Sequence, residues 1–156
     1  MPQIGEKLPN FTLTCVSASG ETEVSLAGYA GKTLVLFFYP KDDTPGCTIE
    51  SIEFTTENEA FEAAGATVLG ISADDAKSHA KFIAKHNLGV GLLIDQDALF
   101  CQTMNVWKEK NMYGRKYMGI DRTTVVVDCS GIIRRLWHKV KVEGHVAEVL
   151  AAVQAL

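Results

Sequence analysis

The sequence predicts an α/β fold in which a mixed central β-sheet is flanked by helices and preceded by an N-terminal β-hairpin. Three observations predict it. Near-continuous apolar runs at 33–39 and 66–72 have the composition of strands buried on both faces. Each is followed by a stretch of helical period. Near the end, two β-rich segments are joined by four residues that finish in glycine, the pattern of a hairpin.

The elements follow in chain order. Phe11-Thr12-Leu13-Thr14-Cys15-Val16 has a period-2 component and reads as a strand, turned at Ser17-Ala18-Ser19-Gly20, with Val24-Ser25-Leu26 as a short return. Gly28 to Lys32 reads as a loop. The run Thr33 to Tyr39 is a central strand, stopped by Pro40, which cannot donate to a ladder. From Cys47 the pattern turns helical: Cys47, Phe54 and Phe61 fall seven apart on one face, Ile49, Ile52 and Ala64 add apolar contacts, and Gly65 is the stop. Ala66 to Ser72 is the next buried strand. Asp74 or Asp75 caps a helix running to about His86. Leu92 to Asp95 is a short strand, and Asp97 caps a helix through Met104. Residues 107–119 are polar, aromatic and glycine-bearing, and read as a loop. Thr123–Val127 and Ile132–Trp137 form the closing hairpin, and His145–Leu156 the last helix. This order fits a thioredoxin-like fold. At 156 residues the chain has the length of one folded unit, so residues 1–156 are expected to form a single domain.

Composition narrows the function classes. Apolar residues make up 47% and charged residues 22%, ordinary globular usage, which excludes a disordered chain. The longest apolar run is far short of the ~20 residues that cross a bilayer. With 15 basic against 19 acidic residues the formal charge is −4, which argues against a nucleic-acid partner. No membrane partner is expected either. The opening Met1-Pro2-Gln3-Ile4-Gly5-Glu6-Lys7 is polar and unlike a secretory signal, so a cytoplasmic address is expected.

Four cysteines stand at 15, 47, 101 and 129, with no C-x-x-C pair, and the four histidines are scattered, so no metal site is expected. Such an isolated cysteine is either buried packing or a reactive group. Cys47 is the candidate for reactivity. Thr44 suits the N-cap and Pro45 the first helical position, which puts Cys47 in the first turn, where unpaired amides and the helix dipole favour a thiolate. Gly46 leaves the sulfur approachable. Asp42, Asp43 and Glu50 oppose this if they face the sulfur, so a cation is required. Lys41 is local but flexible; Arg122, just before a strand, offers a permanently charged fork.

Phe38-Tyr39-Pro40-Lys41-Asp42-Asp43-Thr44-Pro45-Gly46-Cys47-Thr48-Ile49-Glu50 resembles the signature of the peroxiredoxins, most closely the bacterioferritin-comigratory (Q-type) subfamily, with its P-x-x-x-T-x-x-C pattern and an acidic residue three further on. The likeness extends through Gly5–Phe11, Gly70-Ile71-Ser72, Arg122-Thr123-Thr124 and the Gly131 turn. It implies a thiol-dependent peroxidase that reduces hydrogen peroxide and organic hydroperoxides without metal, flavin or haem. It further implies Cys47 as the peroxidatic cysteine, Thr44 as a donor to the incoming peroxide, Pro40 as a shield against water, Arg122 as the group that orients peroxide and supports the thiolate, and Glu50 as the acidic helix residue standing one step back from the reacting atoms. Thioredoxin, glutaredoxin or a low-molecular-weight thiol is the implied reductant, and a monomer the implied state.

The chain departs from the subfamily where a resolving cysteine is common. Five residues after Cys47 stands Ile52, and 36 after it stands Ile83. Cys15 reads as packing; Cys101 and Cys129 are the remaining resolving candidates, and a one-cysteine cycle served by an external thiol is the working expectation. A disulfide oxidoreductase is disfavoured because Thr44 and Glu50 flank Cys47 where a second cysteine would stand. The alternative from another class is a non-enzymatic peroxide sensor or redox-switched binding module. Gly31-Lys32-Thr33 lacks the glycine five earlier and the following helix of a phosphate loop. Trp107, Tyr113, Tyr117 and Met118 either pack a long loop or line a site mouth or a partner surface.

Overall fold

The computed structural model describes residues 2–156; Met1 lies outside them. Seven strands form one sheet in the order β2-β1-β5-β4-β3-β8-β9. They are β1 (Thr12–Ser17), β2 (Gly20–Ser25), β3 (Thr33–Phe38), β4 (Ala66–Ser72), β5 (Gly91–Ile94), β8 (Thr123–Val127) and β9 (Ile133–Trp137). β6 (Trp107–Met112) and β7 (Arg115–Ile120) make a separate two-stranded sheet. The helices are α1 (Pro45–Thr56), α2 (Asn58–Ala63), α3 (Ala76–His86), α4 (Leu99–Thr103) and α5 (His145–Gln154). This is the mixed thioredoxin-like architecture that the sequence predicts, and β1–β2 is its expected opening hairpin. The parallel part is confined to β3, β4 and β5; β8 and β1 join it antiparallel.

Alternation along β3 divides the core in two. Leu34, Leu36 and Phe38 face a layer with Leu8, Phe11, Cys15, Phe100 and Cys101. Val35, Phe37 and Tyr39 face the layer under α1, α2, α3 and α5, with Cys47, Phe54, Phe61 and Phe82. Burying each such phenylalanine is worth roughly 1.5–3 kcal/mol. Phe54 stacks on Phe37 at 4.6 Å between ring centroids. Gly70 is required here: a Cβ would come within 2.7 Å of Phe37 and 3.0 Å of Tyr39. The aromatic stack therefore fixes the height of α1, and with it Cys47, above the end of β3.

Several local expectations are corrected. The helix from Cys47 does not run on to Gly65; it breaks at Glu57, whose ψ of 5° ends α1 before α2 begins. Ile49 and Ile52 do not add core contacts but are 51% and 39% exposed, because the Cys47–Phe54 face alone is turned inward. Asp97 is no cap: its φ is +59°, and Asp95 instead accepts from the Phe100 and Cys101 amides at 2.9 and 2.8 Å. Asp75 caps α3 through the Ser78 amide. The return strand of the first hairpin starts at Gly20, and 28–32 includes the end of a 3-10 turn, Leu26–Tyr29. The supposed loop 107–119 is the β6–β7 hairpin, turned at Tyr113-Gly114 with φ of +53° and +80°. No helix among the described residues is long and apolar enough to cross a membrane.

Candidate active site

Pro40 follows the end of β3, and the loop to Thr44 delivers the chain into α1. Pro45 occupies the first turn, Thr44 is the N-cap residue, and Cys47 lies fully buried in the opening turn. Thr44 makes no side-chain cap bond; its hydroxyl donates to the Lys41 carbonyl at 2.8 Å. The cap is thus correct in position but not in contact, and the hydroxyl does not consume a first-turn amide.

Arg122 comes to the same point from the other side of β3. Thr123 pairs with Phe38, so the residue before β8 stands at the carboxyl end of β3, beside α1. Its Nη2 donates to Cys47 Sγ at 3.4 Å and its Nη1 to Glu50 Oε1 at 2.8 Å. Gly46 makes this possible, since a Cβ there would sit 3.0 Å from Nη2. Its role is to admit the guanidinium, a closer constraint than leaving the sulfur approachable. Burial alone would lower the Arg122 pKa, but Cys47 and Glu50 outweigh it and the net shift is upward, so the cation persists.

The acids near Cys47 do not confront it. Asp42 turns away under the loop, where it accepts from Tyr39 Oη at 2.6 Å and Ser78 Oγ at 2.8 Å and meets His79 Nδ1 at 2.7 Å. His79 Nε2 faces the Leu93 carbonyl at 2.8 Å. Both ring nitrogens thus face acceptors, which requires an imidazolium. Burial alone would lower its pKa, but Asp42's hydrogen bond and charge carry it upward. Asp43 is held outward by Lys85 at 2.7 Å and His86 at 2.9 Å. Glu50 is spent on Arg122. Burial pushes its carboxyl up to about 7 against the pull of Arg122, and its Oε2 has no partner among the described residues.

The other thiols are far from this point. Cys15 and Cys101 belong to the core layer on the opposite face of the sheet from Cys47. Burial, reinforced at Cys101 by Asp95, raises both thiols. Cys129 is exposed in the β8–β9 turn. Val127 pairs with Leu34 at the start of β3, and Thr123 with Phe38 at its end. Four residues of strand, roughly 13 Å, therefore separate that turn from the site, beyond the ~7 Å that a disulfide spans between α-carbons. The structure brings Pro40, Thr44, Cys47, Glu50 and Arg122 together and leaves Cys101 and Cys129 apart.

A model of the AhpC/TSA family matches residues 4–136. The chain belongs to the AhpC/TSA family of peroxiredoxins. It is 43% identical over 152 residues to peroxiredoxin Bcp of Bacillus subtilis, covering 97% of this chain and 95% of that one. A solved structure of the Xanthomonas campestris bacterioferritin comigratory protein, whose alkyl peroxide reduction was studied, superposes with a TM-score of 0.86 at 43% identity, covering 93% and 90%. A mutant of Xylella fastidiosa PrxQ gives 0.91 at 41% identity, covering 99% and 97%. As a peroxiredoxin the chain is a thiol-dependent peroxidase, which requires a hydroperoxide substrate and a thiol reductant.

Two features of this peroxiredoxin escape the sequence reading. One is His79, whose signal was its place with Phe82 and Ile83 on the inward face of α3; a histidine there must find a partner. The other is a cavity of about 770 Å³ between the Cys47 loop and the β6–β7 hairpin, lined by Pro40, Lys41 and Thr44 and by Trp107, Met112 and Tyr117. Of the open readings for the aromatic segment, lining a mouth is the one the geometry favours.

Proposed function

We propose that Cys47 is the peroxidatic residue and that the enzyme runs a one-cysteine cycle on hydrogen peroxide and organic hydroperoxides. The observation that carries this is the Arg122 fork, with one arm on Cys47 and the other on Glu50. The Cys47 thiolate attacks the near oxygen of ROOH. An S–O bond forms, the O–O bond breaks, and the electron pair leaves on RO⁻, which takes a proton to become ROH. Sulfur is oxidised to sulfenic acid and the peroxide is reduced. Charge grows on the departing oxygen, where Arg122 and first-turn amides act as fixed donors, and the Thr44 hydroxyl joins them by turning away from the Lys41 carbonyl. Pro40, half-buried at the loop's start, contributes no N–H of its own and keeps water from the sulfur. An external thiol then attacks the sulfenic sulfur and expels water; a second thiol releases Cys47 and leaves with the first as a disulfide. Thioredoxin, glutaredoxin or a small thiol fills this role, and the working unit is a monomeric single domain in the cytoplasm.

Stopped-flow consumption of hydrogen peroxide, with and without a thiol reductant, tests the cycle. Cys47→Ser is expected to abolish turnover and Cys15→Ser to leave it nearly unchanged. Full activity in the first variant rejects the assignment. One reaction without turnover in the presence of reductants points to a sensor. Mass mapping after one equivalent of peroxide checks the cycle type: a quantitative Cys47–Cys101 or Cys47–Cys129 disulfide overturns the one-cysteine reading.

A further inference from the structure

The β6–β7 hairpin is set apart from the rest of the molecule. Among the described residues it pairs with no strand of the main sheet, and its residues 111–118 are all exposed. Its exposed side chains are unusual: Tyr113 at the turn is 102% exposed, and Met112, Met118 and Tyr117 are 56%, 48% and 41% exposed. Its charge is also unusual. Residues 107–120 carry Lys108, Lys110, Arg115 and Lys116 against Glu109 alone, a local +3 in a chain of net charge −4.

The order of these groups is informative. Tyr113 and Met112 form the tip, Arg115 is paired with Met112 on the first rung, Lys116 stands on the second and Lys110 on the third, opposite Tyr117. Met112 and Tyr113 lead, Arg115 and Lys116 follow on the first two rungs, and Tyr117 and Met118 stand further back; an apolar tip above a basic collar matches the depth profile of a bilayer edge, where acyl boundary gives way to phosphate. A second copy or an acidic protein would call for a broad complementary face; here the apolar groups are strung along a finger. Nor does the lack of a spanning helix bear on this, since lying on a membrane needs no span.

We propose that the β6–β7 hairpin docks this peroxiredoxin on anionic lipid bilayers, inserting Met112 and Tyr113 at the headgroup level while Arg115 and Lys116 meet the lipid phosphates; the Lys110 ammonium is turned back to the Ile120 carbonyl, and Lys116 stands 3.7 Å from Glu109, exposed and free to exchange that contact for phosphate. This goes beyond the expectation of no membrane partner, which rested on the absence of a spanning apolar run. The cavity joins the hairpin to Pro40 and Thr44, so a bilayer at the tip lies beside the path to the Cys47 loop. The docking stands apart from the peroxidase cycle; only its use depends on that cycle.

Co-sedimentation of the reduced full chain with vesicles tests it, using phosphatidylcholine alone or with one third phosphatidylglycerol. Binding is expected on the anionic vesicles at low salt, little on the neutral ones, with a loss as salt rises. Replacing Arg115 and Lys116 together by Gln should weaken binding about 25-fold, at about fivefold per cation. Tyr113→Ser should weaken it several-fold. Unchanged unfolding midpoints establish that these variants fold. Equal binding to neutral vesicles, no binding to anionic ones, or binding that the variants leave intact overturns the proposal. So does hairpin-dependent self-association, or capture of an acidic protein, without vesicle binding. Peroxide inertness with intact vesicle binding would instead sink the peroxidase assignment and leave the docking standing.

Discussion

Two buried carboxylate–cation pairs flank the Cys47 loop, and they are built differently. Asp42 and His79 form a closed pair: each Asp42 oxygen has a donor, and each His79 nitrogen an acceptor. Glu50 and Arg122 form an open one: Oε2 is left without a partner among the described residues, and one arm of the guanidinium reaches past the carboxylate to sulfur. A satisfied pair ties the loop to α3 and β5 and holds still. An unsatisfied pair leaves part of a cation's charge for a third group. The difference separates scaffold from chemistry within ten residues of chain.

The largest effect should come from breaking the closed pair. His79→Ala strands the Asp42 charge in the interior, and removing one partner of a buried pair costs about 3–5 kcal/mol. Urea unfolding measures this. A cost near that of a surface substitution would mean that Asp42 is solvated and the contrast between the two pairs is false. The paired state also has a pH signature. A histidine whose pKa is raised on folding stabilises fully below its unfolded value and loses that contribution as pH rises through the folded value. Stability should therefore decline above about pH 6.5, and the decline should vanish in a His79→Gln variant.

Breaking the open pair should show in rate rather than in stability. Arg122→Lys preserves charge but loses the fork, so one ammonium cannot serve Glu50 and sulfur together. The second-order rate with hydrogen peroxide is expected to fall on the order of 100-fold, the scale for a lost oxyanion donor. The unfolding free energy should change less than in His79→Ala, because Glu50 can take up a proton when its partner is lost. An unchanged rate would remove Arg122 from the peroxide step.

These contrasts were unevenly legible in the chain. The strand ending at Pro40, the turn into α1 and the Cys47–Phe54–Phe61 face are local patterns, and local patterns survive into the fold. Arg122 was readable from the residues only as a permanently charged fork before a strand, and its role came from the likeness to the peroxiredoxins; its contact with sulfur depends on β8 pairing beside β3. His79 meets Asp42 across 37 positions, and no periodicity encodes that partner. The β6–β7 hairpin was missed for a different reason. A strand pair exposed along most of its length carries no apolar alternation, which is the signal by which strands are read. Its turn, Tyr113-Gly114, has a tyrosine at positive φ where asparagine or aspartate would have announced it. The same exposure that hid the hairpin in sequence leaves its apolar tip free to engage a partner.

The pH dependence carried by Glu50 is the effect most diagnostic of the open pair. Glu50 holds its proton to about 7 against an ordinary value of 4.5, with burial as the main cause. Between those values the folded protein binds more protons than the unfolded chain, so stability must fall as pH rises from about 4.5 to about 7. The total fall from this group is at most about 3.5 kcal/mol, since each tenfold change in proton affinity is worth about 1.4 kcal/mol. Glu50→Gln keeps the shape and removes the ionisation. That variant should flatten the stability profile below neutrality while leaving the decline assigned to His79 in place. It should also hold the peroxide rate less dependent on pH across the same range, because Glu50 gains a charge that draws on Arg122 as it ionises, whereas glutamine keeps the hydrogen bond without a titrating charge. A stability profile that glutamine leaves unaltered would place the Glu50 proton elsewhere, and with it the reason that Arg122 has charge to share with Cys47.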